Sequence, residues 1–285
     1  MKFIDIQQNT PEWHEFRKGK IGASMAPIIM GVSNYQTRLQ LYNEMVGIQP
    51  KKEQNSAMKR GHELESVARD WCKTVLHLDD LEPVVVEHDE LYWCIASLDG
   101  YSPFYDIIVE IKCPNKADHI LALQGEIPAH YYPQLQHQMF VTGKKECTYI
   151  SFNGKEGAVV ACYRNNEYIK NMVLQELDFL KCVQLKIPPD PTDKDEVVID
   201  DEESIGIASQ YEFVLSEIES MEAEKEKLKQ LIIERCKATK NKIGNIKIIK
   251  SSRKGAIDYK SIPELMDVDV ELYRKEKIEY WEISK

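Results

Sequence analysis

The order of apolar and polar residues changes period along the chain, from two residues in some segments to about 3.6 in others. Runs rich in β-branched residues predict strands at 84–86 and 107–113, and two more runs flank the turn dipeptide Asn153-Gly154 as a hairpin. Apolar residues at helical spacing predict helices within 58–72, 116–123, 128–143 and 167–185. This interleaving predicts an α/β (α+β) fold with a central mixed sheet flanked by helices.

A proline-rich segment at 188–191, reading PPDP, predicts a domain boundary. The region 190–227 then holds 14 acidic residues and 3 lysines. We therefore predict a core over 1–189, an acidic linker over 190–209 and a C-terminal module over 210–285. In that module, apolar heptad spacing interrupted by Lys225 predicts a long helix over 211–236 that packs on a partner helix. The runs 246–249 and 257–259 predict a small hairpin after it.

The overall charge of the chain is −10, but this acidity is local. Outside 190–227 the chain holds 34 basic and 33 acidic residues, so a nucleic-acid partner is not excluded. The segment 229–260 carries ten basic residues and two acids, which fits either nucleic-acid contact or a solvated sheet edge guarded by lysine. Seven cysteines without a C-x-x-C pair favour reduced thiols in a cytoplasm. Neither a membrane span nor a signal-peptide pattern is present in the sequence, so we expect no membrane partner.

The stretch 97–114, SLDGYSPFYDIIVEIKCP, carries the most informative group of polar residues. Gly100 predicts a turn directly after Asp99, and the strand that follows places Glu110 and Lys112 on one face. A hairpin would therefore crowd two carboxylates and an ammonium at one spot, which is costly unless a divalent cation neutralises the acids. This indicates a Mg²⁺ site for phosphodiester attack, with a single solvated sheet face as the alternative.

Two segments upstream add candidate residues. In 13–24, Arg17 precedes a predicted helix start at which Ser24 is the N-cap, an arrangement suited to binding a phosphate. The alternative is that Arg17 is solvated and Ser24 is only a cap. In the helix over 58–72, Glu63 and Glu65 lie 200° apart around the axis, so one of them can face the hairpin carboxylates. Farther along, Gln134 can bind a strand or a water, or face solvent.

Five motifs in order give the chain a family resemblance. They read WHEFRKGKIGAS at 13–24, GHELE at 61–65, SLDG at 97–100, EIKCP at 110–114 and PQLQHQM at 133–139. From about residue 13 to 143 the chain resembles the lambda-exonuclease-like, or YqaJ-like, viral recombinase nucleases of the PD-(D/E)XK superfamily. Leu98 stands where the family usually has proline before the motif aspartate, and since proline ligates nothing we expect the site to be unharmed.

The resemblance implies a restriction-endonuclease-like core and a role for each matching residue. Metal ligands are implied at Asp99, Glu110, Glu65 and the backbone carbonyl of Ile111. Lys112 is implied as the catalytic lysine, and Gln134 as the glutamine that helps place the attacking water. The 5′-phosphate is implied to bind at Arg17, Ser24 and Ser97. Met58 falls where the family has an apolar wedge that separates the strands. Two Mg²⁺ ions per site are implied, with Mn²⁺ as a substitute.

The activity implied by the resemblance is 5′-to-3′ digestion of linear double-stranded DNA, which leaves 3′ single-stranded overhangs for phage-type recombination. The partners implied are double-stranded DNA ends, a homo-oligomer in the form of a trimer, and a single-strand-annealing recombinase in the cytoplasm of a bacterial host. Two alternatives stay open. One is an endonuclease or RecB-like nuclease module of the same superfamily, and the other is a non-catalytic DNA-binding recombination adaptor.

Overall fold

The computed structural model describes residues 1–50 and 56–250, with the backbone alone at 56–58 and 62. The chain divides into two compact units, Met1–Val198 and Ile199–Lys285. We predicted that the core ends at 189 and the linker at 209. This division does not test those limits, which stay predictions. In the described part of the chain, no helix has both the length and the apolar character that a membrane span requires.

The first unit is built on one sheet with helices on both faces. Its strands are β1 (Lys2–Ile4), β2 (Ile21–Gly22), β3 (Glu82–Glu87), β4 (Cys94–Ser102), β5 (Ile107–Lys112), β6 (Glu146–Phe152) and β7 (Gly157–Tyr163). Its helices are α1 (Pro11–Phe16), α2 (Ala26–Ile29), α3 (Arg38–Met45), α4 (Ser56–Leu76), α5 (Lys116–Leu123), α6 (Tyr132–Thr142) and α7 (Asn166–Leu185). The order is β1-β3-β4-β5-β6-β7, with β2 beside β4. Only the β2–β4 and β5–β6 pairs among these are parallel. The predicted mixed sheet flanked by helices is confirmed.

Alternation along β5 directs successive side chains into two different apolar clusters. Ile108 packs in one cluster with Leu135 of α6. Val109 packs in the other with Ala68 of α4. Because side chains alternate along a strand, Glu110 returns to the face that α6 covers. The sheet therefore delivers an acidic side chain into a helix-covered interior rather than into solvent.

Two local predictions are wrong. Gly100 is not a turn residue, because β4 continues past it and the chain turns at 103–106. A Cβ on Gly100 would lie 2.7 Å from side-chain atoms of Leu81, so close packing explains the glycine. Ser24 is not an N-cap, because it lies inside a short 3-10 turn whose N-cap is Gly22.

The second unit is described to residue 250 and consists of a helix and a hairpin. The helix α8 (Glu202–Glu234) begins inside the predicted linker, where the Asp201 side chain caps it by accepting from the backbone N–H of Ser204 at 2.9 Å. None of its residues is buried. The hairpin joins β8 (Lys240–Ile243) to β9 (Ile246–Ile249), a pairing the sequence pattern did not predict. The strand predicted at 257–259 lies outside the described residues.

Candidate active site

Two acids and a lysine meet where β4 and β5 separate. Backbone pairing of the two strands ends at Gly100 and Val109. Beyond that point, Oδ2 of Asp99 accepts from the backbone N–H of Ile111 at 2.8 Å, so a side chain takes the place of a strand partner. Nζ of Lys112 lies 2.5 Å from Oε1 of Glu110, which is 1% exposed. The structure therefore brings Asp99, Glu110 and Lys112 together around Ile111, whose carbonyl is the predicted backbone ligand.

The charges in this group shift two pKa values. Burial raises the pKa of Asp99 well above its ordinary value, and the neighbouring Glu110 carboxylate raises it further against the effect of Lys112. Burial alone would lower the pKa of Lys112, but Glu110 and Asp99 more than offset burial and raise it. The site thus holds the amine of Lys112 beside two acids, Asp99 and Glu110, that are crowded together in a buried position.

Two glutamines of α6 fix the orientation of Glu110. Nε2 of Gln134 donates to Oε1 of Glu110 at 2.6 Å, and Nε2 of Gln138 donates to Oε2 at 2.5 Å. Sγ of Cys147 lies 3.6 Å from Oε1 of Gln138. The amide oxygen of Gln138 therefore faces the thiol, and its nitrogen faces the Glu110 carboxylate. Both oxygens of Glu110 are therefore held. Gln138 is absent from the predicted site. Its spacing of four residues from Gln134 on a predicted helix places both amides on one face, and this spacing could have indicated its role.

Helix α4 reaches the site through Glu65 and Arg69. Nη2 of Arg69 donates to Oε1 of Glu65 at 2.7 Å, and Nε donates to the backbone carbonyl of Asp99 at 2.7 Å. The charge of Glu65 also raises the pKa of Asp99, whereas Glu63 is exposed. Glu65 is therefore the glutamate that faces the carboxylates, and Arg69 is a residue that the sequence prediction missed. Met58 lies in the first turn of α4, and its side chain lies outside the description.

A second polar group forms around Arg17. Nη2 of Arg17 lies 3.4 Å from Oγ of Ser24, and the guanidinium carbon is 4.3 Å from the centroid of the Trp13 ring. Nε1 of Trp13 donates to Oγ of Ser97 at 3.0 Å, so the tryptophan links the arginine to β4. Gly22 leaves room for this packing, since a Cβ added at this position would lie only 3.1 Å from Nη2 of Arg17. The three predicted phosphate-binding residues therefore meet around one aromatic ring.

The Arg17 group and the carboxylates are neighbours along β4. Ser97 and Asp99 are two residues apart on that strand, which places their Cα atoms about 6.6 Å apart with side chains on one side. Among the described residues no carboxylate forms an ion pair with Arg17, and burial lowers the pKa of its guanidinium. A partly buried cation without an acidic partner beside a cluster of acids suits an anionic ligand that spans both groups.

A separate group of metal-ligand side chains lies in the core. Within the described residues, ligand atoms of Cys94, His137 and Glu176 all lie within 4.8 Å of one another. Nδ1 of His137 lies 2.7 Å from Oε1 of Glu176, and Nε2 lies 3.0 Å from the carbonyl oxygen of Ile95. Burial would lower the pKa of His137, but Cys94 and Glu176 outweigh it and raise that pKa well above its ordinary value. A protonated histidine donates from both nitrogens, so a core ion pair accounts for this geometry.

The fold and the carboxylate–lysine site place the first unit among proteins with the nuclease fold of alkaline exonucleases. The crystal structure of an alkaline exonuclease, LHK-Exo from Laribacter hongkongensis, is similar at 27% identity and a TM-score of 0.53 over 62% of this chain and 94% of that one. The structure of LHK-Exo in complex with dAMP is similar at 26% identity and a TM-score of 0.54, with the same coverage.

The sequence of the same unit is similar to one family of viral proteins. Residues 12–145 match the family model of the YqaJ-like viral recombinase domain. The resemblance predicted from the five motifs is confirmed. A comparison with curated proteins found no match.

Proposed function

We propose that the chain is a metal-dependent exonuclease that digests linear double-stranded DNA from the 5′ end and leaves 3′ single-stranded overhangs. One observation carries the proposal, namely that the group of Asp99, Glu110 and Lys112 lies about one strand repeat from the Arg17 group. The first group suits phosphodiester hydrolysis, and the second suits a terminal phosphate. The similarity to an alkaline exonuclease and the viral recombinase domain both support the proposal.

The residues present fit a divalent cation. Asp99 and Glu110 offer hard oxygen ligands, and the raised pKa of Asp99 reflects two acids crowded in a desolvated site. We propose two Mg²⁺ ions, replaceable by Mn²⁺, held by Asp99, Glu110, Glu65 and the carbonyl of Ile111. When bound, the metal supplies Lewis-acid stabilisation of the phosphate and lowers the pKa of water. The cation also offsets the charge that raises the pKa of Asp99.

The remaining polar groups act on the water and on the geometry of the ligands. The proposed role of Lys112 is to orient or deprotonate the attacking water, because its Nζ lies in the site at 2.5 Å from Oε1 of Glu110. Gln134 holds one oxygen of Glu110, and its further proposed role is to help place that water. These contacts fix the positions of groups before the substrate arrives, which lowers the entropic part of the barrier.

The direction of digestion is assigned to the Arg17 group. The guanidinium is held against Trp13 and offers charged donors next to the hydroxyl of Ser24, and Trp13 in turn binds the hydroxyl of Ser97. A terminal phosphate bound there would set which phosphodiester bond lies beside Asp99. After each cut the new 5′-phosphate can take the same place, so the register of cutting is renewed. We propose Met58 as the wedge that separates the strands at the end.

The test uses linear duplexes labelled at the 5′ or the 3′ end, with and without a 5′-phosphate, beside a closed circular control. The proposal predicts early release of the 5′ label, a preference for phosphorylated ends, no cutting of circles, and no activity in EDTA. Cutting of the circle would indicate an endonuclease instead. Binding of DNA without any hydrolysis under Mg²⁺ or Mn²⁺ would indicate a non-catalytic adaptor.

We further propose that the chain acts as a closed homotrimer in a bacterial cytoplasm, together with a single-strand-annealing recombinase. A ring around the duplex would explain processive digestion, because a ring cannot dissociate sideways. Light scattering of the full chain, combined with a processivity assay under competitor DNA, checks this. A monomer that digests processively would contradict the ring.

A further inference from the structure

The hairpin of the second unit carries an unbalanced positive charge. The segment 235–250 contains six basic residues and no acidic residue, at Arg235, Lys237, Lys240, Lys242, Lys247 and Lys250. The helix that precedes it is acidic over most of its length, with seven glutamates and no basic residue over 202–224. The family match ends at residue 145, so no role for this hairpin follows from the family.

The pairing of β8 and β9 concentrates that charge on one face. Lys242 lies directly opposite Lys247 in the register, and Lys240 shares their face because it is two residues from Lys242. All three are exposed, and with Asn245 they line a shallow open concavity. Like charges directly opposite each other on paired strands are destabilising, so this face is one that an anion would stabilise.

No carboxylate neutralises these lysines within the described residues. The lysines of α8, in contrast, are paired, since Lys225 lies 4.0 Å from Glu222 and Lys227 lies 4.0 Å from Glu224. None of the three hairpin lysines takes part in an ion pair in the described part of the chain. As far as residue 250, the cations of this face are therefore not used by the unit itself.

The chemistry of the face selects the kind of anion. Lysine is a compact point charge that suits phosphate, and it lacks the planar fork with which arginine makes paired hydrogen bonds. The segment 235–250 contains no aromatic residue, so it offers no platform on which unpaired bases could stack. Duplex DNA carries one negative charge per about 1.7 Å of its axis, which makes it a denser polyanion than a single strand.

We propose that the face formed by Lys240, Lys242 and Lys247 binds the phosphate backbone of duplex DNA, as a contact surface separate from the nuclease site. The choice of DNA over another polyanion rests on the proposed function. The binding is electrostatic and independent of sequence, and it needs no DNA end. Its effect is to keep the chain on the duplex when the nuclease site is not holding a terminus.

The test measures binding of the full chain to a duplex closed at both ends by hairpin loops, in EDTA, over a series of salt concentrations. Closed ends remove the terminal phosphate, and EDTA prevents cleavage. The variant is Lys242→Gln with Lys247→Gln. Its matched control is Lys225→Gln with Lys227→Gln, which makes the same change in charge on α8 at lysines paired with glutamate.

The proposal predicts that the hairpin variant binds the closed duplex more weakly at low salt, and that its salt slope is shallower by about 1.8, from a loss of about 0.9 per phosphate contact. The control keeps the wild-type slope. Circular dichroism checks that both variants fold. Wild-type affinity and slope in the hairpin variant would overturn the proposal, and would fit an acidic protein partner instead. Equal losses in the control would overturn it too, because the effect would then be one of net charge.

This result is separable from the nuclease proposal. If the wild-type chain fails to digest linear DNA while the hairpin variant still loses closed-duplex binding, the nuclease proposal is wrong and the DNA surface stands. If digestion occurs from 5′ ends while closed-duplex binding is unchanged in the variant, the nuclease proposal stands and the surface is wrong.

Discussion

Replacement of Arg17 by alanine should abolish the preference for 5′-phosphorylated ends. The arginine has a fixed place, against the ring of Trp13 and 3.4 Å from Oγ of Ser24, and no described carboxylate pairs with it. A phosphate bound there would form a charge-assisted pair with Arg17 that stabilises the complex by about 1.5–3 kcal/mol in total. Since about 1.4 kcal/mol is a factor of ten, the wild-type chain should prefer phosphorylated over hydroxyl ends by roughly ten- to a hundredfold.

The assay compares kcat/KM for two linear duplexes that differ only in the 5′-phosphate. Arg17→Ala should slow digestion of the phosphorylated duplex by the same roughly ten- to hundredfold and leave the hydroxyl duplex nearly unchanged. Arg17→Lys keeps the charge without the planar fork and should lie between the two. The matched control is Lys18→Ala, which removes an exposed cation paired with Glu15 at 2.5 Å and should keep the wild-type preference.

An equal loss on both duplexes would refute the reasoning. Arg17 would then support the fold through Trp13, or contact the duplex backbone without reading the end. Thermal melting separates these two outcomes, because only the first lowers the stability of the free protein. A preference lost in Lys18→Ala as well would show that the general charge of the surface, and not one clamp, selects the end.

Three further predictions concern catalysis, packing and pH. Lys112→Ala should abolish cleavage but not duplex binding, measured by gel shift in Ca²⁺, and loss of binding would assign the lysine to affinity. Gly100→Ala should lower the free energy of unfolding by about 1–3 kcal/mol in urea, because its Cβ would meet Leu81 at 2.7 Å, and an unchanged midpoint would contradict the close packing. The ion pair of His137 with Glu176 should stabilise the fold below about pH 6.5 and lose that effect as pH rises through the raised pKa of His137. The stability difference between wild type and His137→Gln should therefore shrink from pH 6 to 9, and a difference that grows would reverse the assigned sign.

Local patterns predict much of the sheet and its helices. The limits of α5 match the predicted 116–123, and Asn115 caps its start. The end of β6 at Phe152 falls directly before the predicted turn dipeptide Asn153-Gly154. Alternation along β5 predicts that Glu110 and Lys112 share a face, and their ion pair agrees with that. The start of α8 was predicted too late, at 211 instead of 202, although Asp201 before two glutamates is a helix-start signal.

What the sequence could not predict depends on residues far apart in the chain. In the sequence, Gly100 has the character of a turn residue. The structure shows that the glycine is needed because the side chain of Leu81, from another segment, packs against it. The hydrogen bond from Trp13 to Ser97, which links Arg17 to β4, joins residues 84 positions apart, and no periodicity encodes it. Contacts of this kind are set by tertiary packing, which overrides local preference.

Calorimetric titration with Mn²⁺ or Mg²⁺ tests most directly whether Asp99 and Glu110 hold the catalytic cation, as we propose. Asp99→Asn keeps the size of the side chain and removes its charge. Cys94→Ala removes one member of the separate Cys94, His137 and Glu176 group. We predict that the wild-type chain and Cys94→Ala bind the metal and digest DNA, whereas Asp99→Asn does neither. Metal binding that persists in Asp99→Asn but is lost in Cys94→Ala would contradict the account and move the metal to the core group.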